Sequence, residues 1–184
     1  MINKEKIEKA IKLLLEGIGE DATRPGLIET PERVARMYEE ILSGSDDSVE
    51  RHLEKTFPVT ESEMILEKDI QFYSLCEHHL LPFFGKAHIA YIPVDEVVGI
   101  SKLARTVEVF ARRLQIQERM TGQIADAIAK NLKTKGVMVL VEAEHMCVSM
   151  RGIKKGGSKT VTIATRGCFE NDQNLRETFF KLIS

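Results

Sequence analysis

Ile70-Gln71-Phe72-Tyr73-Ser74-Leu75-Cys76-Glu77-His78-His79 is the stretch on which the fold turns. Ile70, Phe72, Ser74 and Cys76 fall on one face of an extended chain and Gln71, Tyr73 and Leu75 on the other, the period of a β-strand. The strand delivers a thiol to the mouth of a tight turn, and His79, three residues on, is close enough to share one metal ion with Cys76. A second stretch answers it. Val137, Val139, Val141, Ala143, His145 and Cys147 alternate in the same way, so a strand running through Cys147 would point His145 and Cys147 to one side.

Cys76, His79 and Cys147 make a Cys2His set, the protein ligands of a catalytic zinc that keeps one position open for water. A structural zinc site would need a fourth ligand, for which Cys168, His78 and His145 are the candidates. Taken singly, each cysteine reads as a small buried apolar group and each histidine as a surface residue. Two of the chain's three cysteines and three of its five histidines fall in these two short clusters, and the joint pattern argues for a metal. An imidazole can be charged or uncharged near neutral pH, and His78 and His145 each sit beside one of the two clusters. A metal with two spare imidazoles is the equipment of metal-assisted hydrolysis.

The totals set the class. A chain of 184 residues with 29% charged and 43% hydrophobic residues predicts one globular domain. A net charge of −2 supplies no field favouring nucleic acid or an anionic membrane surface. The opening Met1-Ile2-Asn3-Lys4-Glu5-Lys6 has no apolar signal core, and Val137–Val141 is too short to span a bilayer. Three cysteines, an odd number, point to a reducing compartment. These features predict a cytoplasmic protein without nucleic-acid or membrane partners.

Outward from the two clusters, helices alternate with strand pairs. Ile7, Ile11, Leu14, Leu15 and Ile18 predict an amphipathic helix over 4–18. Thr30-Pro31-Glu32 marks a helix start with Thr30 as cap, Val34, Met37, Tyr38 and Ile41 as its buried face, and Arg33 and Arg36 projecting together elsewhere. Val49–Phe57 predicts a short helix. Strands are expected over 62–76 and 85–92, with His88 structural. A helix starts at Gly99-Ile100-Ser101, with Leu103, Val107, Phe110 and Leu114 as its stripe. Ser101, Lys102 and Arg105 crowd its first turn, where free N–H groups already favour an anion. A second helix carries Met120, Ile124, Ile128 and Leu132, with Gln117 and Glu118 at its start. After strand 137–147 come Arg151-Gly152, a basic hairpin turn over Lys154–Lys159, strand 159–168 and a closing helix, Leu175–Leu182. Strands arriving in pairs predict an antiparallel sheet in an α+β domain. The edges of so small a sheet need covering, which predicts an oligomer.

With these residues in view, the chain resembles the GTP cyclohydrolase I family. The likeness lies in Thr30-Pro31-Glu32-Arg33-Val34-Ala35-Arg36-Met37-Tyr38, Cys76-Glu77-His78-His79, Gly99-Ile100-Ser101-Lys102-Leu103, Gln117-Glu118-Arg119-Met120-Thr121, and His145-Met146-Cys147 with Arg151-Gly152. These stretches run in the family's order. The resemblance implies a tunnelling fold: an antiparallel sheet with helices packed on one face and an N-terminal helical arm. It divides the chain into that arm (1–58) and a single catalytic unit (59–184). It also implies a ring-forming homo-oligomer, a decamer, with sites at subunit boundaries. It implies Zn2+ on Cys76, His79 and Cys147, and GTP as substrate, converted to formate and 7,8-dihydroneopterin triphosphate at the entry to folate or tetrahydrobiopterin synthesis. His78 and His145 resemble the family's proton-transfer residues, with Ser101 near the sugar. Glu118 with Gln117 matches the purine contact. Lys102, Arg105 and Arg151, with Arg33 and Arg36 from a neighbouring subunit, match the triphosphate contacts. Ser149-Met150 departs from the lysine or small residue common before Arg-Gly, and Cys168 receives no role. The short N-terminal arm predicts no regulatory extension. The competing readings are another tunnelling-fold purine or pterin enzyme, a structural-zinc binding module, and an inactive relative of the same fold.

Overall fold

The computed structural model describes residues 2–60 and 63–184. The chain opens with α1 (Lys4–Gly17) and α2 (Thr30–Ile41), then a 3-10 turn at Ser43–Asp46, α3 (Val49–Leu53) and β1 (Thr56–Pro58). The long strands β2 (Ile65–Cys76) and β3 (Pro82–Pro93) follow, then β4 (Glu96–Val98), α4 (Ile100–Ala111), β5 (Leu114–Gln115) and α5 (Gln117–Asn131). The remainder is β6 (Thr134–His145), α6 (Met146–Ser149), β7 (Thr160–Gly167), α7 (Cys168–Asn171) and α8 (Gln173–Ile183).

Five strands form the main sheet in the order β5-β2-β3-β6-β7, and β1 pairs with β4. The long pairings are antiparallel, as expected for an α+β domain. The two-residue β5 is the exception and runs parallel to β2, pairing Leu75 with Leu114 and Cys76 with Gln115. Alternation on β2 is as read from Ile70 to Ser74, with Ile70, Phe72 and Ser74 buried and Gln71 and Tyr73 exposed; at the strand's end Cys76 is buried and so is Leu75 of the opposite face. That inner face meets α3, α4 and α5 in one core, where Phe72, Phe83, Ile89 and Tyr91 pack against Leu53, Leu103, Val107, Met120, Ile124 and Ile128. Each such side chain contributes about 1.5–3 kcal/mol by leaving water.

Helices do not stay on that face alone. Ala90, Ile92, Met138 and Leu140 point the other way and pack with Phe169 of α7 and Phe179 of α8. Asp172 caps α8, accepting from Leu175 N–H at 3.1 Å. Between Glu67 and Ile70 the β2–β3 register slips, and Asp69 takes φ +61°. His88 holds this bulge: its Nδ1 accepts the Asp69 N–H at 3.3 Å, while Lys86 donates to the Asp69 carboxylate at 2.7 Å. Burial pushes the His88 pKa below the usual histidine value.

Several local expectations are corrected. The strand region expected from residue 62 begins at Ile65; Ser62, like Glu61 and Met1, lies outside the described residues. Thr30 does not cap α2: it already sits in the helix, Glu29 is the flanking residue, and no side chain caps the end. On α1 only Leu15 is buried, with Leu14 and Ile18 exposed; on α2 it is Pro31 and Ala35 that are buried, and Met37 is exposed. These two helices pack on each other away from the main core, so their apolar stripes are only partly covered. Val49–Phe57 divides into α3 and β1, and Leu114 leaves α4 for β5.

Candidate metal and substrate site

At the end of β2 the chain reverses through Glu77–Leu81. Cys76 N–H donates to Leu81 O at 2.9 Å, and Cys76 O accepts from His79 N–H at 3.3 Å and Leu80 N–H at 2.8 Å. Closing the turn puts Leu80 at φ +54°, a left-handed conformation that a branched side chain rarely adopts. A brace holds the turn to the next element. Glu77 N–H donates to Gln115 O at 3.0 Å, and the Glu77 carboxylate is paired with both terminal nitrogens of Arg119 on α5. Arg119 Nε donates in turn to Gln115 Oε1 at 3.1 Å. The guanidinium holds the Glu77 carboxyl below its ordinary range.

Cys147 comes from the other side of the sheet's end, and not from a strand. β6 stops at His145, and Cys147 lies in the single helical turn α6. A helix turns about 100° per residue where a strand turns 180°, so His145 and Cys147 are not obliged to share a direction. Even so, the ligand atoms of Cys76, His79 and Cys147 all lie within 4.8 Å of one another. Because β3 sits between β2 and β6, this trio links two strands that do not pair with each other. The donor set fits a tetrahedral ion of the zinc type, whose ligands at about 2.0–2.3 Å stand roughly 3.3–3.8 Å apart. Burial pushes the Cys147 thiol up, and the adjacent Cys76 adds to it, a penalty that a divalent cation would offset. Arg151 Nη1 donates to His79 Nε2 at 3.0 Å. A guanidinium can only donate, and a histidine coordinating a metal has no second lone pair for it. Metal binding therefore frees Arg151.

His145 stands beside the trio with its ring stacked on Phe83, centroids 4.7 Å apart and planes parallel. Its Nε2 lies 2.8 Å from Gln117 Oε1. Burial lowers its pKa, and the Glu118 carboxylate is near enough to pull the other way. Gln117 departs from expectation. It is 1% exposed, and its amide nitrogen donates to Val141 O, Thr160 O and Thr162 Oγ1, each at 3.0 Å. With its N–H groups engaged inside the protein, the side-chain amide has none to offer a purine. Glu118, on the same first turn, is exposed.

The other expected residues are spread along the chain. His78 is exposed at the turn, its ring 6.4 Å from that of His79. Ser101 and Arg105 are exposed and Lys102 half-buried on the first two turns of α4. Arg33 and Arg36 are paired along α2 with Glu29 and Glu32. Within one chain the structure thus gathers Cys76, His79, Cys147, Arg151, His145 and Glu118, and leaves Arg33 and Arg36 on the separate helical pair. Phe83, Glu77 and Arg119 are neighbours of the site that sequence reasoning did not single out. Glu77 and Arg119 each lay inside a quoted motif without a role, and that was the available signal. Cys168 is half-buried, its thiol pushed up by burial.

A family model described as GTP cyclohydrolase I matches residues 7–184. The chain is 60% identical over 182 residues to GTP cyclohydrolase 1 of Clostridium kluyveri, covering 99% of this chain and 98% of that protein. It is 59% identical over 184 residues to the Clostridium perfringens protein of the same name, with both covered completely, and 54% identical over 179 residues to the Streptococcus pneumoniae one, with 97% of each covered. A crystal structure of the archaeosine synthase QueF-Like in the apo form aligns with TM-score 0.48 and 16% identity, covering 59% of this chain and 97% of that one.

Proposed function

The chain belongs to the GTP cyclohydrolase I family, and from that premise we propose how its residues carry the reaction: hydrolytic opening of the guanine imidazole ring of GTP, loss of formate, and reclosure to 7,8-dihydroneopterin triphosphate. The observation that carries the reading is the Cys76–His79–Cys147 trio beside His145 and Glu118. A zinc ion held by Cys76, His79 and Cys147 supplies the Lewis acidity that makes water nucleophilic near neutral pH.

The remaining work falls to side chains. Glu118, an exposed carboxylate, accepts from the N–H edge of the guanine and sets C8 toward the trio. His145, stacked on Phe83, and His78, on the turn, move protons as the ring opens and formate leaves. Ser101 lies near the ribose as it rearranges. Lys102, Arg105 and Arg151 hold the triphosphate by charge-assisted hydrogen bonds. Arg33 and Arg36 join them from the arm of a neighbouring subunit, which explains why one chain does not bring them to the trio. In this reading the copies assemble as a ring, then a decamer of tunnelling-fold units with sites at the boundaries. No described helix is long and apolar enough to cross a membrane, in keeping with a cytoplasmic enzyme of folate or tetrahydrobiopterin synthesis.

Incubation with GTP, with and without a chelator, tests the reading through formate release and pterin fluorescence after oxidation. Both signals, abolished by chelator and restored by zinc, are the expected result. Formate without pterin would mean an enzyme that stops at the opened purine. Neither signal from folded, zinc-loaded protein would reject the reading in favour of a binding module or an inactive relative.

A further inference from the structure

The hydrogen bonds around Gln117 leave no freedom in its amide. Val141 O and Thr160 O are backbone carbonyls that can only accept, and both lie 3.0 Å from one end of the side chain. That end must be the NH2. The third partner agrees. Thr121 Oγ1 donates to Gln117 O at 2.7 Å, which leaves Thr162 Oγ1 to donate to Thr121 Oγ1 across 2.7 Å and to accept from Gln117 Nε2. Flipping the amide would set its oxygen against two carbonyl oxygens in a buried site, where an unmatched polar pair costs about 1–3 kcal/mol. The oxygen therefore faces His145, and an amide oxygen only accepts. The His145 nitrogen 2.8 Å from it, Nε2, must carry a hydrogen.

We propose that Gln117 is a positioning residue whose amide oxygen takes the Nε2–H of His145, leaving Nδ1 as the ring nitrogen open to the reaction. This rests on His145 acting as a proton-transfer group in the function proposed above. The stack on Phe83 fixes the plane of the imidazole and the amide fixes its rotation within that plane, so no second orientation competes. The Gln117 side chain thus acts on the reaction through His145 and not through the purine.

The test uses zinc-loaded protein labelled with 15N-histidine, studied by solid-state NMR without substrate. The His145 resonances are assigned by their loss in His145→Asn. A protonated Nε2 and a bare Nδ1 are expected; the reverse tautomer overturns the proposal. Because no GTP is present, this readout stands even for a chain that turned over nothing, so failure of the inference is separable from failure of the function. Gln117→Met gives the second arm, with zinc content measured alongside. It is expected to lower kcat at least tenfold while KM for GTP stays within about threefold, the pattern of a group outside substrate binding. A raised KM with unchanged kcat would return Gln117 to the purine and overturn the proposal. Should Gln117→Met not fold, the wild-type spectrum decides alone.

Discussion

Gly85→Ala should damage the molecule at a position that carries no proposed ligand, by an amount that the structure lets one work out. Gly85 sits opposite Ala143 in the β3–β6 ladder. A Cβ at this position would lie 1.9 Å from Glu142 O, 2.7 Å from Ala143 Cα and 2.9 Å from Glu142 C, all backbone atoms. Raising 1.9 Å to the 3.0 Å that real Cβ atoms respect asks the two strands to part by 3.0 − 1.9 = 1.1 Å. A ladder bond of ordinary length stretched that far is no longer a hydrogen bond. Losing two of them costs about 1–3 kcal/mol, and residual strain about 1–3 more. The lower backbone entropy of unfolded alanine returns about 0.5–1 kcal/mol. The net, about 1–5.5 kcal/mol, translates at roughly 2–4 °C per kcal/mol into a melting point lower by about 2–22 °C. Wild type and variant should be melted at equal concentration and zinc loading. Gly122→Ala on α5 is the matched control: nothing lies within 4 Å of its added methyl, and it should gain about 0.4–1 kcal/mol. Equal melting points for Gly85→Ala and wild type, within about 1 °C, would refute the close approach of β3 to β6.

Cys147→Ser should lose both metal and turnover, and His145→Ala should keep metal and lose turnover; active metal-free Cys147→Ser, or full turnover by zinc-loaded His145→Ala, would sink the respective assignment. Arg119→Leu removes the brace on Glu77, and zinc affinity by chelator competition should fall about tenfold, the lower end for losing an outer support of a metal site; an unchanged affinity would show that the turn holds its own shape. For His88 the folded pKa is depressed below an ordinary value of 6.5, so the unfolded chain binds the proton first. The resulting stability is present above pH 6.5 and is lost as pH falls through the folded value, when protonation also takes Nδ1 from the Asp69 N–H. Melting curves of His88→Gln should show less loss on acidification from neutral pH than wild type, and parallel curves would refute the link.

What was legible in the sequence was whatever one strand or one turn decides alone. Alternation from Ile70 to Cys76 gave the buried face because a packed helical layer lies on one side of β2. The Cys76–His79 spacing gave the bite because a single turn makes it. Cys147 was carried two residues too far along its strand, since Met146 and Val148 suit a strand as well as a helix and the local chain does not mark the change. The stripes on α1 and α2 told which side chains favour burial, but not that their partner is mainly the other helix of the pair. Two residues of β5 are too few to carry a pattern. Gln117 looked like a substrate contact because its buried acceptors, Val141 O, Thr160 O and Thr162 Oγ1, come from strands that only the tertiary fold brings to it.

The ligand trio also has a place in time. Cys76 ends β2 and Cys147 sits on the turn that follows β6, with β3 between the two strands, so the cation site exists only after both the β2–β3 and the β3–β6 ladders have formed. Contacts of such sequence separation close late in folding. A metal bound there acts on the finished sheet as a clasp, absent from the transition state, and interactions of that kind slow unfolding without speeding folding. Zinc should therefore lengthen the lifetime of the native chain in stopped-flow unfolding and leave the refolding rate nearly unchanged. A refolding rate that climbed with zinc would mean that the two cysteines meet before the strands do.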